Sequence, residues 1–109
     1  MTIPEISVEE AATRLAGPQP PQLIDVREAD EWAVAHVAGA ELVPLSEWPG
    51  VVPQKLVNPA QPLLILCHHG SRSARATEFL LRIGFADVTN VAGGIDAWSL
   101  RVDPGVARY

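Results

Sequence analysis

A chain of 109 residues has the length of one compact domain and buries well over half of the surface that its unfolded form exposes. Hydrophobic residues at 48% and charged residues at 19% exclude a disordered chain, and a net charge of -5 excludes a general nucleic-acid binder, which needs a basic surface to displace counterions. No apolar run approaches the roughly 20 residues that cross a bilayer, and the acidic opening MTIPEISVEE lacks the basic start of a secretory signal, so a cytoplasmic protein without nucleic-acid or membrane partners is expected.

Ser7 before VEEAATRL reads as an N-cap with Glu10 at the capping-box position, and Gly17-Pro18 stops the pattern, which predicts a helix over 8–16. The proline-rich PQPPQ over 18–22 leads into a short apolar strand over 23–26, followed by a helix over 28–35 and a loop, HVAGA, over 36–40. Residues 41–43 form a brief strand closed by Pro44. Prolines at 49, 53, 59 and 62 leave residues 46–62 undetermined, apart from room for a helical turn or two between Pro53 and Val57.

The uninterrupted apolar run over 63–66 suggests a central parallel strand buried on both faces. Residues 71–83 carry a helical pattern with Ser71, Arg75, Glu78 and Arg82 on one face, Glu78 preceding Arg82 in the favourable i,i+4 order, and Gly84 ending it. A strand over 87–91, a turn at Gly93-Gly94 and a helix over 95–100 complete the alternation. The expected fold is α/β: one domain over residues 1–109, with a core of about 5–100, a tail over 101–109 and a mostly parallel sheet flanked by helices on both faces.

The chain's one cysteine, Cys67, falls between the strand over 63–66 and the helix that begins at Ser71. One cysteine forms no internal disulfide and leaves no CxxC pair for zinc, so the thiol is either inert core or chemistry. Its position is where open α/β sheets bind ligands, at the carboxyl end of a strand, and a loop entering a helix presents unpaired backbone N–H groups that together cradle an anion. Small Gly70 and Ser71 let the backbone curl. An ordinary thiol is only about 3% ionised at pH 7, and making it mostly thiolate takes about 2.7 kcal/mol. A helix terminus supplies at most about 2 kcal/mol, so N–H bonds to sulfur and the Arg72 cation would have to provide the rest. A cysteine phosphatase or arsenate reductase loop would need arginine at 73; Ser73 stands there and Arg72 arrives one residue early, a tighter ring that suits a lone sulfur better than a phosphate.

Taken with LIDVRE over 23–28, HVAGA over 36–40 and GGIDAW over 93–98, the cysteine loop resembles that of a single-domain bacterial rhodanese (thiosulfate sulfurtransferase) domain, in order and spacing across nearly the whole chain. The resemblance implies ping-pong sulfur transfer. Cys67 takes the outer sulfur of a donor such as thiosulfate, sulfite leaves, and the persulfide passes its sulfur to cyanide, a thiol, or a small redox or sulfur-carrier protein, without cofactor or metal. The loop of His68, His69, Gly70, Ser71, Arg72 and Ser73 is implied as the substrate-binding cradle, with main-chain N–H groups directed at the sulfur and Arg72 facing the departing oxygens. Two rivals stand beside this reading: a relay passing persulfide between proteins in a thiolation or cofactor pathway, and a non-catalytic domain that uses the fold for binding.

His68 and His69 admit two readings, as donors or partial positive charge at the pocket mouth or as exposed loop filler; a metal site from contiguous Cys-His-His is not expected. Asp25 is expected to organise the cysteine loop through hydrogen bonds, with Arg27 paired to it or to another acid. His36 should bond backbone in its turn, Gly93 and Gly94 should serve a turn with positive φ, Trp32 and Trp98 should be core, and Trp48 is a candidate rim for the acceptor.

Overall fold

Leu63–Leu66 is buried along its whole length and forms β4, the middle strand of the sheet. The structure, a computed structural model, describes residues 2–109. Its five strands, β1 (Glu5–Ile6), β2 (Gln22–Asp25), β3 (Glu41–Leu42), β4 and β5 (Val88–Val91), lie in the order β1-β5-β4-β2-β3, and every pairing is parallel. Helices α1 (Val8–Leu15), α2 (Ala29–Val34), α3 (Val52–Lys55), α4 (Ser71–Arg82) and α5 (Gly94–Arg101) alternate with them, as parallel crossovers require. Among the described residues no helix is long and apolar enough to cross a membrane.

The two faces of β4 feed two cores. Leu64 and Leu66 pack with Val8, Ala11, Ile95 and Trp98 of α1 and α5, whereas Leu63 and Ile65 pack with Val52, Ala76 and Leu80 of α3 and α4. Successive strand residues point to opposite faces, so Cys67, continuing the alternation, falls on the α4 side. Ser7 caps α1 as expected, its Oγ accepting the Glu10 N–H at 3.1 Å.

Element ends moved by a residue or two, and β1 went unread because two residues between Pro4 and Ser7 carry no period. A 3₁₀ turn (Leu45–Glu47) leads into the undetermined stretch 46–62, which holds α3, starting at Val52 with Pro53 in its first turn and stopping at Lys55. Residues beyond α5 fold back over it: Ser99 Oγ donates to Val106 O at 2.5 Å and Arg108 Nε to Asp96 Oδ1 at 2.9 Å.

The Gly93-Gly94 turn decides where the cysteine loop sits. With φ of 82° and 60°, these glycines let α5 begin directly against the loop, where Ile95 N–H donates to Cys67 O at 2.8 Å and Asp96 N–H to His68 O at 3.1 Å. The unpaired first-turn donors of α5 are thereby satisfied by loop carbonyls. A Cβ on Gly94 would lie 2.4 Å from both carbonyl oxygens. Gly94→Ala is therefore expected to combine that clash with left-handed strain and to destabilise the protein by about 2 kcal/mol or more, read as a lower urea midpoint; an unchanged midpoint would show that loop and helix part freely.

Candidate active site

Cys67 directly follows β4 at 1% exposure, and its sulfur accepts two hydrogen bonds, from Gly70 N–H at 3.1 Å and from Ser73 Oγ at 3.2 Å. Gly70 reverses the chain with a φ of 109°, a value that L side chains rarely adopt, and a Cβ there would press on Gly93 N at 3.2 Å. The inward ring of amides expected over 68–73 is thus narrower than the resemblance implies: among the described residues one amide, that of Gly70, donates to the sulfur. The reversal makes the Ser71, Arg72 and Ser73 N–H groups the opening donors of α4, with no acceptor inside the helix.

Arg72 does not turn to the sulfur. Its Nη1 and Nη2 donate to Glu31 Oε1 and Oε2 at 2.6 and 2.9 Å, a forked pairing that holds α4 to α2. The hydrogen bonds from Arg72 hold the Glu31 carboxyl down to about 2, against the opposing effect of burial, and Glu31 reciprocally raises the Arg72 guanidinium above its ordinary value. Glu31 Oε1 also accepts the Glu28 N–H at 3.2 Å, so one carboxylate caps α2 and anchors the arginine.

Asp25 and Arg27 form a fully buried ion pair, Nη2 to Oδ2 at 2.8 Å. The hydrogen bonds of Asp25 go to the Arg27 backbone and side chain rather than to the cysteine loop, because a buried guanidinium claims both carboxylate oxygens. Arg27 reaches on to Ala35 O at 2.7 Å and to Tyr109 Oη at 2.8 Å. Tyr109 donates in turn to Glu31 Oε2 at 2.8 Å, and its ring stacks on His68 at 4.0 Å.

His68 lies between Tyr109 and His69, whose ring centroid is 3.9 Å away. Burial first, and the charge of His69 second, lower the His68 pKa, which disfavours the positive charge considered for it. His69 stays exposed, 4.0 Å from Asp96 Oδ2. His36 Nδ1 bonds Trp32 O at 3.1 Å and its ring stacks on Trp32 at 4.1 Å. Trp98 is core; Trp32 is not, being half-buried on short α2 outside both clusters. Trp48 donates to Val43 O at 3.0 Å and lines a 280 Å³ cleft with Arg75 and Phe79.

Sequence reasoning missed Glu31, Tyr109 and Asn90. The first two carry no pattern, since their roles arise from contacts across 41 and 82 positions. Asn90, a polar residue in a strand that is buried throughout, left a signal in DVTNV.

Comparisons with known proteins bear on the family and the fold. The model of the Rhodanese-like domain family matches residues 7–101. The chain is similar to Rhodanese-like/PpiC domain-containing protein 12, chloroplastic, of Arabidopsis thaliana at 37% identity, over 98% of this chain and 38% of that protein. It is similar to the Putative sulfur carrier protein YrkF of Bacillus subtilis (strain 168) at 33% identity, over 90% of this chain and 52% of that one. The human single-domain sulfurtransferase TSTD1 superimposes with a TM-score of 0.77 at 25% identity, covering 92% of this chain and 98% of that structure. The chain spans between 20% and 52% of the length of such curated relatives.

Glu31 sets a pH dependence whose sign is fixed by its lowered carboxyl. Its contribution to stability is fully present above about 4.5, the unfolded value, and is lost as pH falls towards about 2. Glu31→Gln should be less stable than the parent at neutral pH, with the difference closing over that window in thermal melts; a constant difference would deny the Arg72 pairing its role.

Proposed function

The chain belongs to the rhodanese-like domain family, and from that premise we propose that it is a sulfurtransferase that carries sulfane sulfur as a persulfide on Cys67. The observation that carries the reading is the sulfur at the end of β4 with an N–H and an O–H aimed at it. Donors at sulfur stabilise negative charge there, and the thiolate is the nucleophile. The Cys67 thiolate attacks the outer sulfur of thiosulfate; a new S–S bond forms as the donor's S–S bond breaks, and sulfite leaves with the electron pair. Cyanide or a thiolate then attacks the outer persulfide sulfur, and the electron pair of that bond returns to Cys67.

The unspent first-turn amides of α4 support binding of the outer sulfur or the departing sulfite. Arg72 spends two of its five N–H donors on Glu31, leaving about three for the donor's oxygens without breaking the pair. Access to so covered a thiol requires the loop side chains to part, which limits adventitious thiol chemistry.

A second reading, persulfide relay between proteins, is favoured by the likeness to a putative sulfur carrier protein and by the chain's spanning only part of its longer relatives. Efficient transfer from a protein persulfide beside a weak thiosulfate response selects it.

Incubation with thiosulfate should add one sulfur atom to the intact mass, and cyanide should remove it as thiocyanate; Cys67→Ser should do neither. An unreactive Cys67 would leave a binding domain. Arg72→Ala is expected to raise the thiosulfate KM about tenfold or more with the circular-dichroism spectrum unchanged, as befits loss of a charge-assisted contact; equal donor kinetics would remove Arg72 from the mechanism.

A further inference from the structure

Asn90 is fully buried in β5. Its Nδ2 donates to Glu5 Oε2 at 2.7 Å and to Gly70 O at 3.2 Å, which uses both its hydrogens, while Oδ1 is buried without a hydrogen-bond partner among the described residues. The orientation is forced, because the opposite one would set an oxygen against a carboxylate and a carbonyl. Stranding a buried acceptor costs stability. A strand position that carries this cost suggests a demand other than folding.

Gly70 O accepts the Ala74 N–H at 3.1 Å as well as the Asn90 amide, and two lone pairs are then filled. Ser73 Oγ lies 3.2 Å from that same oxygen and 3.2 Å from Cys67 Sγ, yet a hydroxyl has one hydrogen and serves one of them. We propose that Asn90 is a positioning residue which, by occupying Gly70 O, directs the Ser73 hydroxyl proton to Cys67 Sγ. This rests on Cys67 being the reactive nucleophile.

The two protonation states differ in the direction of this chain. In the thiol, S–H donates to Ser73 Oγ and the hydroxyl hydrogen goes back to Gly70 O, where it competes with Asn90. On loss of the sulfur proton to solvent the hydroxyl rotates, and Ser73 O–H and Gly70 N–H both donate to the thiolate. Occupation of Gly70 O by Asn90 disfavours the first arrangement and leaves the second intact.

The test follows thiolate formation by ultraviolet absorbance against pH, which reads one site because Cys67 is the chain's one cysteine. Other charges near the loop, namely Arg72 of α4, Glu31 of α2, His68 and His69 of the loop, Asp25 and Arg27 after β2, Asp96 of α5, Glu5 of β1 and the Tyr109 hydroxyl, are kept in every variant. Asn90→Leu, branched at the same carbon, and Asn90→Val, smaller and favoured in strands, provide alternatives if one fails to fold. Either is expected to reduce the thiolate fraction at pH 7 about tenfold, to move the pH profile of sulfur transfer to the alkaline side by the same factor, and to recover the rate at high pH. Ser73→Ala should do the same, and adding the Asn90 change to it should produce no further shift. Full additivity, or an unshifted titration in a folded Asn90 variant, overturns the proposal. Wild-type protein without sulfur transfer, beside the shift and its loss in the Ser73→Ala background, would instead remove the Cys67 transfer reading and support the hydrogen-bond assignment.

Discussion

The docking of the α5 N-terminus onto the carbonyls of Cys67 and His68 is the constraint on which the site depends. Two backbone bonds pin the start of the loop, and they exist only because Gly94 has no Cβ to strike those oxygens. Gly70, its own missing Cβ facing Gly93, then reverses the chain, aims its amide at the sulfur and opens α4. The GGIDAW stretch is accordingly part of the cysteine site although it lies some 27 residues away: its glycines admit the loop, and Trp98 fixes the helix in the core.

Around this loop the arginines are paired: Arg72 with Glu31, Arg27 with Asp25, Arg108 with Asp96. The groups that hydrogen-bond the sulfur are nonetheless an N–H and an O–H rather than a cation. Their dipoles stabilise an anion there, the Gly70 N–H held by the backbone and the Ser73 O–H able to turn towards the sulfur. Arg27 illustrates the arrangement. Wholly buried, it is tolerated because Asp25, Ala35 O and Tyr109 Oη receive its N–H groups, and its work is to tie β2, α2 and the end of the chain into one frame.

Much of this was legible in the residues. The apolar run ending at Cys67, the small residues after it and the paired glycines marked strand, loop and turn, because those features depend on local chemistry. What escaped reading depends on distance in the fold. Glu31 looks like an ordinary helix carboxylate until α2 meets α4, and Tyr109 acquires its place only when the chain folds back over α5. Trp32 looked like core by residue type, but six-residue α2 buries no face deeply enough to hold it. Of the main-chain N–H groups expected to point at the sulfur, one hydrogen-bonds to it, that of Gly70, whose φ of 109° reverses the chain.

The all-parallel order β1-β5-β4-β2-β3 also bears on when the site comes into being. Every strand pair is joined through intervening chain, and the groups that meet at the loop come from Glu5 at one end and Tyr109 at the other. Topologies built from such non-local pairings fold slowly, since loop-closure entropy is lost before contacts return it. Closing the cysteine environment therefore draws on contacts far apart in sequence, and the entropy lost in bringing them together is returned only as the parallel sheet is completed.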